Sequence, residues 1–286
     1  MKIFTAALLA VIAPLFVRAF TPCANTGGNV THALTITPKM ARDSLNDLRT
    51  RDTVTIDLWI HVLTAGPTAA DGYVDATGIL AQVDYLQQQY APWGFQFQVK
   101  PISYALNAEW ASNIDSDLAE KQRQLRRGDY KSLNVYLVNG ATYGQCTYPL
   151  DGTDPLTQDE LDQDGCLVPL KSGIHAPDGT ITHEIGHWLG LRHVFEGGCN
   201  QDNGGDFCDD TWPQASASYA KMGKAGDVNS CPARDSCPDK PGTDNVKNFM
   251  DYTDCSSEFT PCQGGRMVAA WSQRTSRTIA AGVLWK

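Results

Sequence analysis

The chain has 286 residues, of which 42% are hydrophobic and 19% are charged, and its formal net charge is −9. This much apolar material can build a hydrophobic core, which excludes an intrinsically disordered chain. An acidic chain has no general attraction for phosphate backbones, so a nucleic-acid-binding protein is not expected.

The first 19 residues have the pattern of a secretory signal peptide. Lys2 supplies a positive charge, an almost wholly apolar run covers residues 3–17, and Ala19 ends a candidate cleavage site. The alternative is a membrane anchor, which normally needs a longer apolar run. We therefore expect a secreted, extracellular protein without a membrane partner.

Residues 20–51 are polar and weakly patterned. We expect them to form an N-terminal segment, a candidate pro-region, ahead of one domain at 52–286. Asn29 begins the sequence Asn-Val-Thr, an N-glycosylation sequon that suits a secreted surface. An unmodified Asn29 is the alternative.

Strands and helices alternate in the first half of that domain. Apolar residues recur at every second position over 54–62, 95–99 and 133–137, which is the period of a half-buried strand. Helical spacing of apolar residues predicts a helix over 79–90, and a charged helical stretch covers about 116–127. This alternation is typical of an α/β layer.

The charged stretch carries a basic cluster. Because the cluster is isolated in an acidic chain, we expect its side chains to form a solvated helix face. They are Lys121, Arg123, Arg126 and Arg127.

The nine cysteines fit a secreted protein, because disulfides persist outside the reducing cytosol. Six of them fall between residues 199 and 262, in a stretch rich in Gly, Pro and Asp that has little periodicity. Such a loop-rich region needs covalent cross-links. The odd count leaves one thiol over, and Cys23 is the outlier by position.

Residues 183–193 read HEIGHWLGLRH. His183 and His187 are four positions apart, so a helix presents both imidazoles on one face. Gly190 tolerates a left-handed conformation and can turn the chain, so that His193 returns as a third ligand. Three nitrogen ligands leave the fourth tetrahedral position of Zn²⁺ for water, which is typical of a catalytic site. The alternative, a helix with solvent-exposed histidines, leaves this spacing unexplained.

Glu184 follows the first predicted ligand and suits a general base better than a ligand. Zinc lowers the pKa of its bound water toward about 7, and Glu184 can take a proton from that water and pass it to a leaving amine. The remaining histidines, His32, His61 and His175, have no such arrangement and are expected to be ordinary surface or core residues.

Four motifs together resemble the pappalysin family of metzincin metalloproteases, especially its ulilysin-like members and the small secreted fungal enzymes. They are HEIGHWLGLRHVFEGGC, GDFCDDTWP, NFMDYTD and FTPCQGGRM. The resemblance implies an α+β, zincin-like fold in which an α/β N-terminal subdomain and a loop-rich, disulfide-stapled C-terminal subdomain flank a cleft. It also implies a secreted zinc endopeptidase of extracellular proteins, with its catalytic domain at 52–286.

The same resemblance assigns roles in the segment 248–254. Met250 is the Met-turn residue beneath the zinc, and Tyr252 lies near the metal, where its hydroxyl stabilises the tetrahedral intermediate. A buried packing tyrosine is the alternative for Tyr252. Asp254 is the nearest match to an aspartate that favours Lys or Arg in the S1′ pocket of some relatives. The interval from Tyr252 to Phe259 is shorter here, so no substrate preference is assigned.

An acidic loop after the third histidine matches a calcium-binding loop of the family. Carboxylate and carbonyl oxygens at close spacing suit Ca²⁺, and a solvated acidic loop is the alternative. The matching residues are Asp206, Asp210 and Thr211, and Asp202 and Asp209 are further candidates.

Four disulfides are expected. Two are implied by the resemblance, one joins two cysteines that stand where the family usually has other residues, and one closes a single loop. They are Cys199–Cys237 and Cys231–Cys255, then Cys208–Cys262, then Cys146–Cys166.

Cys23 is left without a partner. In the family an N-terminal cysteine can act as a latency switch, with its thiolate in the open position of the zinc. The family surroundings Arg-x-Cys-Gly are replaced here by Thr-Pro-Cys-Ala, and a free or intermolecular thiol is the alternative. If the switch operates, cleavage near residues 49–51 would release the mature enzyme.

Two other classes of function were weighed against a zinc endopeptidase. One is a secreted module that uses zinc only structurally, and Glu184 argues against it, since such a site needs no base. The other is a secreted adhesion or virulence protein whose surface binding matters more than turnover. We expect a monomer that acts on protein or peptide substrates.

Overall fold

The computed structural model describes residues 36–48, 53–112, 118–218 and 233–284. The predicted signal peptide, Cys23, the sequon at Asn29, the candidate cleavage run at 49–51 and Cys231 lie outside the described residues.

The described strands form one mixed sheet in the order β2-β1-β4-β6-β5, and β3 also pairs with β1. The pairs within it are parallel except that β5 runs antiparallel to β6 at one edge. The three predicted strands are confirmed as β1, β2 and β4. The strands are β1 (Val54–Thr64), β2 (Phe95–Val99), β3 (Ser103–Leu106), β4 (Leu133–Val138), β5 (Gln145–Cys146) and β6 (Cys166–Pro169).

The helix predicted over 79–90 is present and begins three residues earlier, because the side chain of Asp75 accepts a hydrogen bond from the backbone N–H of Thr77 and caps the first turn. The predicted charged helix is shorter than expected. The helices are α1 (Pro38–Leu48), α2 (Ala76–Tyr90), α3 (Ala108–Ser112), α4 (Leu118–Leu125), α5 (Gln158–Gln163), α6 (Leu170–Gly173), α7 (Gly179–Trp188) and α8 (Pro261–Ser276).

The main core lies between one face of the sheet and the helices α2 and α7. Each apolar side chain buried there contributes about 1.5–3 kcal/mol, so α7 is fixed firmly against the sheet. The cluster includes Ile56, Leu58, Ile60 and Val62 of β1, Ile79, Val83 and Leu86 of α2, and Ile181, Ile185 and Trp188 of α7.

The predicted solvated basic face is wrong for two of its four residues. Lys121 and Arg126 are only 1% and 2% exposed. A guanidinium nitrogen of Arg126 lies 3.2 Å from a carboxylate oxygen of Asp164, itself buried. A buried guanidinium is tolerated when a buried carboxylate pairs with it. Arg123 does stay on the surface, where it pairs with Glu120.

Helix α1 belongs to the predicted N-terminal segment, yet it packs against α8. Ile36 and Ala41 are buried in one cluster with Ala269 and Ala270. The side chain of Arg266 donates a hydrogen bond to the carbonyl oxygen of Ile36. Residues 36–48 are therefore part of the same packed body as the C-terminal helix.

Three of the expected disulfides are formed in the structure, namely Cys146–Cys166, Cys199–Cys237 and Cys208–Cys262. Cys255 is also disulfide-bonded, and the partner predicted for it lies outside the described residues. In the described part of the chain, every helix is too short or too polar to cross a lipid bilayer.

Candidate metal centre

Helix α7 presents the first two predicted ligands. Its N-terminus is capped by Asp178, whose carboxylate accepts from the backbone N–H of Thr180 at 2.8 Å. Its regular turns end at Trp188, and Gly190 follows with a φ of +88°. The backbone N–H of Gly190 donates to the carbonyl oxygen of His187 at 2.8 Å. The left-handed glycine therefore turns the chain as the sequence predicts.

The three predicted zinc ligands bring their Nε2 atoms together. The Nε2 atom of His187 lies 3.0 Å from that of His183 and 3.2 Å from that of His193. An ion bound tetrahedrally at about 2.0–2.1 Å separates its ligand nitrogens by about 3.3 Å. The observed spacing therefore fits three ligands of one ion.

Hydrogen bonds on the far side of the rings orient two of these imidazoles. The Nδ1 atom of His183 lies 2.6 Å from the carbonyl oxygen of Phe249, and that of His187 lies 2.8 Å from the carbonyl oxygen of Leu191. The hydroxyl of Tyr148 lies 3.0 Å from the same Nδ1 of His187. Since a carbonyl only accepts, Nδ1 carries the proton and the Nε2 lone pair is directed at the shared centre.

The ligand cluster is dry and uncharged. The three histidines are at most 1% exposed. Burial lowers the pKa of His187 to about 4, and it lowers the pKa values of His183 and His193 well below the ordinary histidine value. Neutral imidazole is the form that binds a metal ion, so the cluster needs no deprotonation near neutral pH.

Glu184 is completely buried one residue after the first ligand. Its carboxylate lies beside the backbone of Gly144, just before the edge strand β5. The predicted base is thus held on the helix that carries His183 and His187, with its acidic group next to the open edge of the sheet.

The segment 248–252 passes beneath the ligand helix. Met250 is fully buried, and a β-carbon built on Gly186 of α7 would stand 2.7 Å from its sulfur. The carbonyl oxygen of Met250 accepts from the backbone N–H of Val194 at 3.2 Å. Met250 therefore packs under the turn of helix between His183 and His187, at the place predicted for a Met-turn.

Tyr252 lies at the rim of the ligand cluster. Its hydroxyl oxygen is 3.1 Å from the Nε2 atom of His193, and the two rings meet edge to face with centroids 5.1 Å apart. The side chain is 6% exposed. The hydroxyl, rather than only the ring, therefore faces the site where the ion and its substrate would lie.

The predicted calcium residues take part in hydrogen bonds that close their loop. The carboxylate of Asp206 accepts from the hydroxyl of Thr211 at 2.7 Å and from the backbone N–H of Cys208 at 3.0 Å. The carboxylate of Asp210 accepts from the backbone N–H of Cys262 at 2.9 Å, near the start of α8. Burial raises the pKa of Asp206 to about 6. Asp206 and Asp210 therefore already accept hydrogen bonds, from the loop itself and from the start of α8 respectively.

Several contributors to the site carry no signal in the sequence. The carbonyl groups of Phe249 and Leu191 orient ligands, but every residue has a carbonyl. Gly144 and Tyr148 lie near the centre only because the edge strand and the chain after it pass beside α7. His61, by contrast, is a buried histidine that lies 2.7 Å from Ser103 and 3.0 Å from Asn134, apart from the ligand cluster.

Comparison with known sequences gives consistent matches. Residues 116–272 match the M43 peptidase family, described as pregnancy-associated plasma protein-A. An extracellular metalloprotease of Pyricularia oryzae is 39% identical over 235 residues, which cover 77% of this chain and 76% of that protein. An extracellular metalloprotease of Neurospora crassa is also 39% identical over 235 residues, with the same shares of the two chains.

Two solved structures resemble the fold. Mirolysin in complex with a compound aligns with a TM-score of 0.57 at 22% identity, over 76% of this chain and 91% of that chain. A Tannerella forsythia promirolysin mutant aligns with a TM-score of 0.58 at 20% identity, over 87% and 93% of the two chains. This likeness confirms the predicted α+β, metzincin-type fold.

Proposed function

This chain belongs to the M43 peptidase, or pappalysin, family and is a metalloendopeptidase, and from that premise we propose that it is a secreted zinc enzyme with Glu184 as its general base. The observation that carries the proposal is the convergence of three buried imidazole nitrogens, two of them on the helix that also carries the buried carboxylate of Glu184. A helix with solvent-exposed histidines would not bury them.

The donor set fits zinc. Three neutral nitrogen donors, two of them with hydrogen-bonded far sides, match the ligands that zinc takes in hydrolytic sites. When bound, zinc acts as a Lewis acid, which lowers the pKa of a water molecule and polarises a carbonyl group. His183 and His187 would hold the ion from α7, and His193 from the chain beyond the Gly190 turn.

Glu184 moves the proton. Its carboxylate takes a proton from the water that attacks the scissile carbonyl, and it later donates that proton to the amine that leaves. The rigid helix fixes the base relative to His183, its neighbour in the chain. Burial keeps bulk water away from the carboxylate, which strengthens its electrostatic effect on the reacting groups.

Tyr252 contributes a hydrogen bond to the negative oxygen that develops on the scissile carbonyl carbon. Its hydroxyl is already beside His193 and needs no rearrangement to face the reacting group. Donors held in place in this way stabilise the transition state more than the ground state.

The substrates are proteins or peptides, taken up at the edge of the sheet. Strand β5 is the terminal strand of the described sheet and directly follows Gly144, the residue that approaches Glu184. An extended peptide can pair its backbone with an unpaired strand edge, which supplies affinity with little dependence on sequence. No preference for a particular side chain is assigned from Asp254.

The ends and accessory sites of the chain are assigned as follows. Residues 1–19 form the signal peptide, 20–51 the N-terminal segment and 52–286 the catalytic domain of a monomer. A latency role for Cys23 and a glycan on Asn29 are part of this proposal. Calcium at Asp206, Asp210 and Thr211 is also part of this proposal. The ion would have to displace the hydrogen bonds that these residues make.

The decisive experiment replaces Glu184 by Gln, which keeps the shape of the side chain and removes its basicity. Casein cleavage by the purified secreted protein should disappear in Glu184→Gln and in the wild type treated with a zinc chelator. Glu109→Gln, the same change at an exposed position on α3, should retain activity. Cleavage that survives in zinc-loaded Glu184→Gln would contradict the proposed role.

A further inference from the structure

Gly144 leaves room for the side chain of the proposed base. A β-carbon built on Gly144 would stand 2.2 Å from Oε1, 2.5 Å from Cδ and 2.6 Å from Cγ of Glu184. Carbon and oxygen atoms that are not bonded normally stay more than 3 Å apart, so no larger residue fits here while Glu184 keeps its position. We propose that Gly144 is a positioning residue that sets the orientation of the Glu184 carboxylate. The inference rests on the proposed role of Glu184.

The requirement for glycine comes from this contact and not from the backbone. Gly144 does not have a left-handed φ, whereas Gly190 and Gly165 do. An alanine can therefore adopt the same backbone angles without strain. Any effect of a methyl group at this position must arise from what the methyl group touches.

The chain at Gly144 has little freedom to move away from the helix. The next two residues form β5, where Gln145 and Cys146 pair with Leu167 and Cys166 of β6. The disulfide Cys146–Cys166 adds a covalent link across the same pair. The methyl group of an alanine would therefore be held against Glu184.

The helix on the other side is equally fixed. The sulfur of Cys166 lies 3.8 Å from the carbonyl oxygen of Glu184, and the hydroxyl of Tyr90 donates to the carbonyl oxygen of Thr182 at 2.7 Å. Because neither backbone can yield, the Glu184 side chain must rotate to a different conformation. Its carboxylate would then leave the position from which it removes a proton.

The first test is the kinetics of Gly144→Ala with zinc content measured alongside. We expect kcat to fall at least tenfold, KM to change by less than threefold, and zinc to stay at one ion per chain. Gly179→Ala is the matched control. It adds a methyl group at the first residue of α7, and at close range that methyl group meets only the flexible side chain of Ser256. That control should keep the wild-type kcat.

The second test is a double-mutant cycle in thermal stability, which does not depend on activity. Glu184→Ala removes the atoms that the new methyl group would strike. Gly144→Ala should therefore lower the Tm of the wild type but not the Tm of the Glu184→Ala protein. The cycle remains readable even if Gly144→Ala alone folds poorly, because the double variant should fold well.

Two results would overturn the inference. One is a wild-type kcat in Gly144→Ala with full zinc content, and the other is an equal loss of Tm in both backgrounds of the cycle. Either result leaves the Glu184→Gln experiment untouched, because that experiment reports on the base itself. Conversely, activity in Glu184→Gln would refute the base, while the stability cycle would still report the contact.

Discussion

The two halves of the metal centre are held in place by different forces. His183, His187 and Glu184 lie on a helix that packs against a six-stranded sheet through a continuous apolar core. His193, Met250 and Tyr252 lie in residues 192–260, where the helical segments of the described chain are 3-10 turns of three residues. Val194, Phe249 and Met250 of the second half are buried in the same core. The first half depends on apolar burial, whereas the second half also depends on cross-links.

Polar contacts and disulfides add to apolar burial in the second half. The carboxylate of Asp251 accepts from the backbone N–H of Ser218 at 3.0 Å. That of Asp244 accepts from the backbone N–H of Ser236 at 2.8 Å and pairs with Arg234 at 2.9 Å. Each such buried group is costly to leave unpaired. The comparison indicates that the helix half should resist reduction of disulfides, whereas the loop half should not.

The largest effect is expected in the helix half, at Asp164, which connects α7 to the C-terminal helix α8. Its carboxylate lies 3.2 Å from Arg126 and 2.9 Å from Arg274 of α8, and it accepts from the indole N–H of Trp188 at 3.2 Å. Asp164→Ala leaves two buried guanidinium groups without this partner and should cost about 3–5 kcal/mol of unfolding free energy.

Urea unfolding measures this cost, and Asp159→Ala is the control. Asp159 carries the same charge on α5, but its side chain is 75% exposed, so the change there should stay within about 0.5 kcal/mol. Equal stabilities for the two variants would mean that Asp164 does not hold α7, α8 and Arg126 together.

Removing a disulfide from each half tests directly whether the two halves depend on disulfides to different extents. Cys208–Cys262 closes a span of 54 residues in the loop half, and Cys146–Cys166 closes one of 20 residues beside the sheet. Loop entropy alone predicts losses of about 4 and about 3 kcal/mol when each pair is changed to serine. We expect the Cys208–Cys262 variant to lose much more zinc than the Cys146–Cys166 variant during dialysis against a weak chelator. Zinc lost equally from both variants would remove the distinction between the halves.

Tyr252→Phe tests whether the loop half contributes to chemistry as well as to metal binding. Loss of one hydrogen-bond donor to a developing oxyanion lowers kcat by about a hundredfold. The ring contacts with His193 should remain, so zinc content and Tm should match the wild type. A variant with unchanged kcat would assign Tyr252 to packing alone.

The smallest effect concerns the pH dependence of the loop around Asp206. Burial raises the pKa of this carboxyl group to about 6, so the folded protein holds its proton more tightly than the unfolded chain does. Its contribution to stability is present at low pH and declines as the pH rises from about 4 to about 6. Asp206→Asn should therefore gain stability relative to the wild type over that interval.

Chemical unfolding at several pH values in the presence of a calcium chelator checks this prediction. Calcium should then be added back at pH 7. A calcium-dependent rise in Tm that is lost in Asp206→Asn would favour the calcium site, whereas no response would favour the hydrogen-bonded loop.

The sequence predicts the helix half well because its signals are local. The alternation over 54–62 and the helical spacing over 79–90 each reflect which side of one element is buried, and both elements are confirmed. The solvated basic face fails at Arg126 because burial of that guanidinium depends on Asp164, 38 residues away. No local pattern contains that information.

The loop half is predicted by motif and resemblance and not by periodicity. The spacing of the three histidines indicates a shared ligand cluster, and the structure brings their Nε2 atoms together. The contacts of Gly144 with Glu184 and of Phe249 with His183 cannot be read in the same way, since they join segments 40 and 66 residues apart. Long-range backbone contacts leave no pattern in the sequence.

The most direct test of the shared centre is anomalous X-ray diffraction at the zinc absorption edge from crystals of the active protein. One zinc peak should lie within about 2.0–2.1 Å of the Nε2 atoms of His183, His187 and His193, with no fourth protein ligand from the catalytic domain. A peak bound by His183 and His187 without His193, or a zinc closed by a fourth side chain of that domain, would contradict a catalytic site built jointly by the two halves.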